Sequence, residues 1–166
     1  LTHNVVNDVE VCNVPDTTLF AGTEGGLAAY NADTDTWEAW TPENTAMGSD
    51  SGIDSLECAE SSSALIVGYD LDGVDIFEST AARWTYYEPF TDLESSFALD
   101  LAVVGDLEEI WVAHIGAVSV IRPGVGVTYY DEENSNLDDV TTDDFEHFVD
   151  AIYVDDNDTV WLGQGG

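Results

Sequence analysis

A repeat of roughly 46 residues is the feature that most constrains the fold of this 166-residue chain. The segment LFAGTEGGLAAY at 19–30 recurs as LIVGYDLDGVDIF at 65–77 and as IWVAHIGAVSVI at 110–121, and it begins again as VWLGQGG at 160–166. The large apolar position of each copy recurs after 46, 45 and 50 residues, at Phe20, Ile66, Trp111 and Trp161. Repeats of this length are typical of solenoids, propellers and arrays, so we expect stacked copies of one unit.

A second motif follows the same period. WEAW at 37–40, WTYY at 84–87 and VTYY at 127–130 place Trp40, Tyr87 and Tyr130 at spacings of 47 and 43. A weaker third series stands seven or eight residues before the large apolar position, at Cys12, Cys58, Val103 and Val154. Two clear motifs on one period favour a true structural repeat.

Each unit contains four short segments with strand character. In the first unit these are VEVCNV, TLFAGT, LAAYN and WEAWT, separated by the turn compositions PDT, EGG and NADTDT. The best helical candidate, TDDFEHFV at 142–149, predicts at most one turn. Four strands per unit, with aromatic and glycine residues at recurring positions, indicate a β-propeller.

The pattern W-[LV]-G-x-x-G-G-L-x-x-Y followed by an aromatic strand resembles the two-component-regulator type of propeller repeat. The resemblance covers essentially the whole chain, although Phe20 and Ile66 replace the Trp of that pattern and Ala113 replaces its small residue. It implies an extracytoplasmic propeller domain, as in hybrid sensor kinases and secreted proteins, and it is informative for fold rather than for function.

We therefore predict an all-β propeller segment of about three and a half four-stranded antiparallel blades, forming one domain over 1–166. The predicted blades are 6–41, 53–88 and 98–130, with a half blade at 148–163. We name the strands of a blade a to d, from the propeller axis outwards. Because a ring needs at least about four blades, we expect a stretch of a larger propeller, or a subunit whose edges other chains cover.

The charge of the chain excludes several classes of partner. It has 35 Asp and Glu residues, two Arg and no Lys, which gives a net charge of −33. Such a balance repels phosphate backbones and anionic lipids, so we expect no nucleic-acid partner and no membrane insertion within this segment. A folded, acidic, lysine-free chain is typical of salt-adapted or extracellular proteins, and we predict an extracellular, cell-surface or periplasmic location.

Acidic turns recur at 31–36, 70–73 and 155–159. Alternating carboxylates supply oxygen ligands for Ca²⁺, but the EF-hand pattern fails because Asn44 and Ala81 stand where its final Glu belongs. We interpret these segments as Asx turns, with Ca²⁺ as the alternative and no other cofactor. Cys12 and Cys58 are predicted to lie on the innermost strands of adjacent blades as buried thiols, with one internal disulfide as the alternative.

The b–c turns and the d–a linkers of a propeller share one face, and loops on a rigid scaffold usually carry binding. We predict that the turn residues Thr23, Glu24, Tyr69, Asp70 and His114 form a binding site. The linkers at 42–52, 89–97 and 131–147 add the carboxylates of Glu43, Asp50, Asp92, Glu94, Asp131, Glu132, Glu133, Asp138, Asp139, Asp143 and Asp144.

Such a face favours a cation, a basic partner, or a neutral ligand held by Tyr69. We also expect Tyr69 and His114 to lie off the blade core, so that replacing both with Ala leaves the fold intact. The alternative is a face that is only solvated, in a chain whose role is structural packing within an assembly.

The sequence contains no nucleophile-elbow, Walker or zincin motif. Two arginines are too few for the carboxylate-binding site of a sialidase-like propeller, and His114 alone is available for a streptogramin-lyase-like site. We therefore predict a binding or interaction scaffold and not an enzyme. The alternative is a divalent-cation-dependent lyase or hydrolase propeller.

Overall fold

The computed structural model describes residues 1–14, 16–59, 62–105, 107, 109–137 and 148–165, apart from the side chain of Thr17. These residues contain fourteen strands, and helical structure within them is limited to short pieces such as a 3-10 turn at Ser79–Ala81. The strands are β1 (Val6–Asn13), β2 (Thr17–Thr23), β3 (Gly26–Asn31), β4 (Thr36–Trp40), β5 (Ile53–Ala59), β6 (Ala64–Tyr69), β7 (Val74–Glu78), β8 (Arg83–Tyr87), β9 (Asp100–Val104), β10 (Glu109–Ala113), β11 (Val118–Arg122), β12 (Gly126–Tyr130), β13 (Val149–Val154) and β14 (Val160–Gln164).

The strands form three antiparallel four-stranded sheets and one two-stranded sheet. The orders β1-β2-β3-β4, β5-β6-β7-β8 and β9-β10-β11-β12 are simple meanders, and β13 pairs with β14. We call these sheets blades 1 to 4. The innermost strands β1, β5, β9 and β13 contact one another in succession, which places them along a common axis. The predicted propeller segment of three and a half blades is confirmed. Most residues of the helical candidate at 142–149 lie outside the described part of the chain.

Strand register shows that the repeated sequence positions are structurally equivalent. The large apolar residue of each strand b pairs with the corresponding residue of strand a, as Phe20 with Glu10, Ile66 with Glu57, Trp111 with Ala102 and Trp161 with Tyr153. The aromatic residues of the second motif likewise pair with equivalent residues of strand c, as Trp40 with Leu27, Tyr87 with Val74 and Tyr130 with Val118.

Neighbouring blades pack through two repeated apolar positions. One is on strand a and faces the preceding blade, where Leu56 and Leu101 are 4% and 3% exposed within separate inter-blade core clusters. The other is the large apolar residue of strand b, which faces the following blade, where Phe20 and Ile66 are fully buried. Each inter-blade core is thus assembled from these two faces.

Polar side chains also join consecutive inner strands. The Oδ2 atom of Asp8 accepts the backbone N–H of Leu56 in blade 2 at 2.8 Å, and Oδ2 of Asp100 accepts that of Ile152 in blade 4 at 2.7 Å. At the equivalent place in blade 2, the hydroxyl of Ser55 donates to the carbonyl of Ala98 at 3.0 Å. These contacts satisfy backbone groups that the sheets leave unpaired between blades.

Cys12 and Cys58 form a disulfide, with their Cα atoms 5.7 Å apart, so the prediction of buried free thiols is wrong. The two cysteines are not structurally equivalent. Register makes Val11 the counterpart of Cys58, because Val11 pairs with Leu19 and Cys58 pairs with Leu65. Since side chains alternate along a strand, Cys12 faces blade 2 while Cys58 faces blade 1, and the bond crosses between them.

Candidate binding face

Backbone hydrogen bonds bring the b–c turns and the d–a linkers to the same face. In blade 2, the N–H of Asp70 donates to the carbonyl of Gly52 in the first linker at 2.9 Å. The N–H of Gly73 donates to the carbonyl of Ser96 in the second linker at 3.0 Å. We call the described turns 23–26, 69–74 and 114–118, together with linker residues 42–52, 89–97 and 131–137, the loop face.

Thr23, Tyr69 and His114 occupy one equivalent position at the end of strand b of each full blade, and all three are completely buried. Thr23 and Tyr69 are the last residues of β2 and β6, and His114 directly follows β10. Tyr69 belongs to the core between blades 1 and 2. The expectation that Tyr69 and His114 lie off the blade core is therefore wrong. The preceding linker folds over Tyr69 and His114, so residues at the end of strand b are covered in the structure.

Tyr69 anchors the first linker through Asp75 on strand c. The Tyr69 hydroxyl donates to Oδ2 of Asp75 at 2.6 Å, and the same oxygen accepts the N–H of Gly48 in the linker at 2.7 Å. Burial raises the pKa of Asp75, and burial together with the Asp75 charge raises that of Tyr69. The Oδ1 atom of Asp75 is buried without a partner among the described residues.

His114 has the same function for the second linker through Ser119. Its Nδ1–H donates to the carbonyl of Phe97, and its Nε2 accepts the Ser119 hydroxyl at 2.8 Å. Ser119 Oγ in turn accepts the N–H of Glu94 at 3.4 Å. Burial lowers the pKa of His114 to about 4, so the imidazole is neutral near pH 7.

The contact between Ser119 and His114 has the length of a nucleophile–base pair. Both side chains are completely buried, however, and a reacting group must touch its substrate. The pair therefore serves as an anchor in this structure.

Asp75 and Ser119 are the residues that sequence reasoning missed. They hold the same place on strand c, next to Val74 and Val118, which pair with Gly68 and Ala113 respectively. A polar residue inside the otherwise apolar runs VDIF and VSVI was the available signal, because a buried polar side chain needs a partner.

Glu24 and Asp70 come together beside a small polar pocket of about 350 Å³, lined also by Asn7, Gly52 and Asp54. Burial, followed by the charge of Asp70, raises the pKa of Asp54. Within the described residues, the only close group of potential metal ligands is Glu10 with Cys12 and Cys58, and both of these cysteines are disulfide-bonded. A Ca²⁺ site at the acidic turns stays a prediction.

The acidic segments have the predicted turn geometry at two places. Oδ1 of Asn31 accepts the N–H groups of Asp33 and Thr34 at 3.1 and 3.2 Å. Oδ1 of Asp155 accepts those of Asn157 and Thr159 at 2.9 and 3.1 Å. These contacts are typical Asx turns.

A larger pocket of about 550 Å³ opens on the loop face between the second linker, the b–c turn of blade 3 and the third linker. Its apolar lining includes Phe90, Phe97 and Ile115. Its acidic lining consists of Glu94 with Asp131, Glu132 and Glu133. We call it the linker pocket. The predicted carboxylates of Asp138, Asp139, Asp143 and Asp144 lie outside the described residues.

No helix among the described residues has both the length and the apolar character needed to cross a membrane. No protein-family model matches the chain. No curated protein sequence matches it either.

Solved structures of bacterial extracellular domains share the fold. One is the extracellular domain of BT3049 from Bacteroides thetaiotaomicron, described as a hybrid two-component system, with a TM-score of 0.74 and 20% identity over 99% of this chain and 22% of that one. Two are structures of the extracellular domain of BT4673 from the same organism, described as a one-component and as a hybrid two-component system, with TM-scores of 0.71 and 0.72. Each is 16% identical over 99% of this chain and 21% of its own. The chain thus spans about a fifth of the length of these extracellular domains and shares their fold.

Proposed function

We propose that this chain is part of an extracellular or cell-surface scaffold for binding or interaction, within a larger or oligomeric propeller. The three solved structures compared above are described as extracellular domains of one-component or hybrid two-component systems. Their likeness supports the location and a role in recognition.

The observation that carries the proposal is the contrast between a repeated frame and a varied loop face. Inter-blade positions keep one apolar character from blade to blade, whereas the turns read TEGG, YDLDG and HIGA. The linker pocket is built from these varied segments and from the linkers between blades. A rigid frame that presents different loops is the usual arrangement of a binding protein.

Exposed apolar faces at both end blades support a larger propeller. Val9 is 55% exposed, whereas its equivalents Leu56 and Leu101 are 4% and 3% exposed against a preceding blade. Trp161 is 60% exposed, whereas its equivalents Phe20 and Ile66 are fully buried against a following blade. We infer that further blades, from the same or another chain, cover both faces.

The proposal assigns no catalytic role to the chain. Among the described residues, the pair that comes nearest to catalytic geometry, Ser119 with His114, is buried and anchors a linker. The polar groups that remain accessible on the loop face are largely carboxylates, which suit recognition of a cation or of a hydroxyl-rich ligand.

The recognition role is tested by amide NMR spectra of the ¹⁵N-labelled chain, titrated separately with calcium chloride, trilysine and maltotriose. We expect at least one of these probes to shift amides of the b–c turns and linkers. Shifts confined to the c–d turns at 32–35, 79–82 and 123–125, or no shift with any probe, would overturn the proposal. New reducing ends from maltotriose in the presence of Ca²⁺ would favour the hydrolase alternative.

The larger assembly is tested by sedimentation at about 1 M salt, where a Debye length of about 3 Å removes most charge repulsion. We expect concentration-dependent association, reduced by Val9→Asp and by Trp161→Asp. Leu71→Asp is a matched control, because Leu71 is 52% exposed in a b–c turn, away from both end faces. A chain that stays monomeric at every concentration would contradict the role of these faces.

A further inference from the structure

We propose that the linker pocket binds an organic cation, in which an amidinium, guanidinium or ammonium group is attached to an apolar body. The proposal rests on the proposed function only in taking the loop face as the surface of recognition. It specifies where on that face a ligand binds and which chemistry the ligand has.

The shape of the pocket suits a small ligand or a single long side chain. Its volume of about 550 Å³ lies within the range of about 300 to 1,000 Å³ that is usual for small-molecule sites. Three separate segments form its walls, at 90–97, 115–117 and 131–133. The backbone of the segment 90–97 is held by the anchors described above, since Phe97 and Glu94 bond to His114 and Ser119 respectively.

An exposed aromatic ring stands at this pocket. Phe90 is 76% exposed and has a φ of +55°, a left-handed conformation that is rare for a bulky side chain. The turn holds it there, because the carbonyl of Glu88 accepts the N–H of Asp92 at 2.9 Å, and Oδ2 of Asp92 accepts the N–H of Glu88 at 3.0 Å. A solvent-facing ring carried on a turn held in this way is suited to stacking on a flat cation or to a cation–π contact.

The charge around the pocket is negative, and neither arginine of this chain pairs with it. Glu94, Asp131 and Glu133 line it, and Asp131 is positioned by accepting the N–H of Glu133 at 3.0 Å. The chain has no Lys. Arg83 and Arg122 pair with Glu78 and Glu109 at the opposite, c–d ends of their blades.

These two features together determine the class of ligand. An apolar wall alone accepts neutral, cationic and anionic aromatics with little discrimination. The carboxylates repel the anion and attract the cation, so a positively charged group beside an apolar body satisfies both parts of the lining. A bare metal ion gains nothing from Phe90, Phe97 and Ile115.

The experiment compares three aromatic probes of nearly equal shape, namely benzamidinium, benzamide and benzoate, by amide NMR titration of the full chain. We expect benzamidinium to shift the amides of Ser95, Ser96 and Gly116 and to bind about tenfold more tightly than benzamide, as about three weak ion pairs provide. Benzoate should not shift these amides.

Variants then separate the two parts of the lining. Phe90→Ala should weaken benzamidinium binding by about two- to fivefold, as the loss of an exposed cation–π contact predicts, and Phe90→Leu provides a second test that keeps an apolar side chain. Glu133→Gln and Glu94→Gln should weaken benzamidinium binding and leave benzamide binding unchanged. Glu43→Gln is the matched control. Glu43 stands three residues after Trp40, the last residue of strand d in blade 1, as Glu133 stands three residues after Tyr130 in blade 3.

A further probe distinguishes the source of the cation. N-acetyl-arginine methylamide presents a guanidinium as a partner protein does, so tighter binding of this probe than of benzamidinium indicates a basic side chain. Tighter binding of benzamidinium indicates a free aromatic amine or amidine. Either order supports the shared chemistry.

Equal affinity for benzamidinium and benzamide, shifts outside the pocket, or no binding by any probe would overturn the proposal. The proposed function is judged separately, because trilysine, maltotriose or Ca²⁺ can still shift other parts of the loop face. Thermal melts of each variant exclude loss of folding as the cause of weaker binding.

Discussion

Glu57 gives the chain a specific dependence of stability on pH. It lies on the inner strand β5, where burial raises its pKa from 4.5 to about 7, and the charges of Glu10, Asp100 and Asp8 add to the shift. A carboxyl group with a raised pKa in the folded state keeps its proton where the unfolded chain has lost it. Its contribution to stability is therefore fully present below about pH 4.5 and is lost as the pH rises through 7.

The size of the effect follows from the shift. Raising the pKa from 4.5 to about 7 corresponds to about 3 kcal/mol over the whole window, most of which falls between pH 5 and pH 8. Glu57→Gln replaces the ionising group with a neutral amide of similar shape. We expect the variant to be more stable than the parent chain at pH 8, and the difference to shrink to a small fraction of that value at pH 5.

Urea unfolding at both pH values, followed by tryptophan fluorescence, measures this difference. Glu38→Gln is the control, since Glu38 is exposed on β4 and its replacement should change stability equally at both pH values. Glu10→Gln should give part of the same pH-dependent stabilisation, because the charge of Glu10 raises the pKa of Glu57 more than that of any other neighbouring carboxylate. If Glu57→Gln showed the same pH dependence as the parent chain, or were less stable than it at pH 8, the assignment of the buried charge would be refuted.

Three further predictions concern the disulfide, the linker anchors and the net charge. Reducing Cys12–Cys58, which closes a loop of 46 residues, should lower the free energy of unfolding by about 4 kcal/mol on the chain-entropy estimate. Urea melts with and without reductant measure this loss, and an unchanged midpoint would contradict the prediction. Tyr69→Phe removes a donor from buried Asp75 and should cost about 1 to 3 kcal/mol in the same assay, whereas an unaltered stability would mean that the bond is not formed. Because carboxylates repel one another at a net charge of −33, the melting temperature should rise between low salt and about 1 M salt, and a constant value would exclude salt adaptation.

The repeat could be predicted from sequence because its strongest signals are packing positions. Phe20, Ile66 and Trp111 recur where each blade meets the next, and Trp40 and Tyr87 recur where strand d meets strand c. Such residues must stay large and apolar in every unit, so they remain recognisable when the rest of the unit varies.

The disulfide was missed because sequence spacing counts residues and not the direction of side chains. Cys12 and Cys58 stand equally far before Phe20 and Ile66, yet the strand register makes Val11 the counterpart of Cys58. A shift of one residue turns a side chain to the other face of a strand. Equivalent cysteines would both have faced the preceding blade.

The residues predicted for the binding site lie on the loop face, but the predicted exposure of Tyr69 and His114 was wrong. Tyr69 ends a strand and His114 directly follows one, and both precede a turn, a context that is usually solvated. Their burial depends on linkers that come from the preceding unit, as the contacts of Gly48 and Glu94 show. No local sequence pattern predicts a contact between segments that lie more than 20 residues apart in the chain.

Inter-blade packing through two repeated faces has a consequence for cooperativity. In a stack where each unit contacts only its neighbours, stability is approximately a sum of unit and interface contributions. The two-stranded blade 4 has one interface and a solvent-facing Trp161, whereas blade 2 is enclosed on both sides and cross-linked to blade 1. Amide hydrogen exchange should therefore proceed inward from β13 and β14, with the slowest amides in β5 and β6, so that the chain opens by successive blades and not in one step.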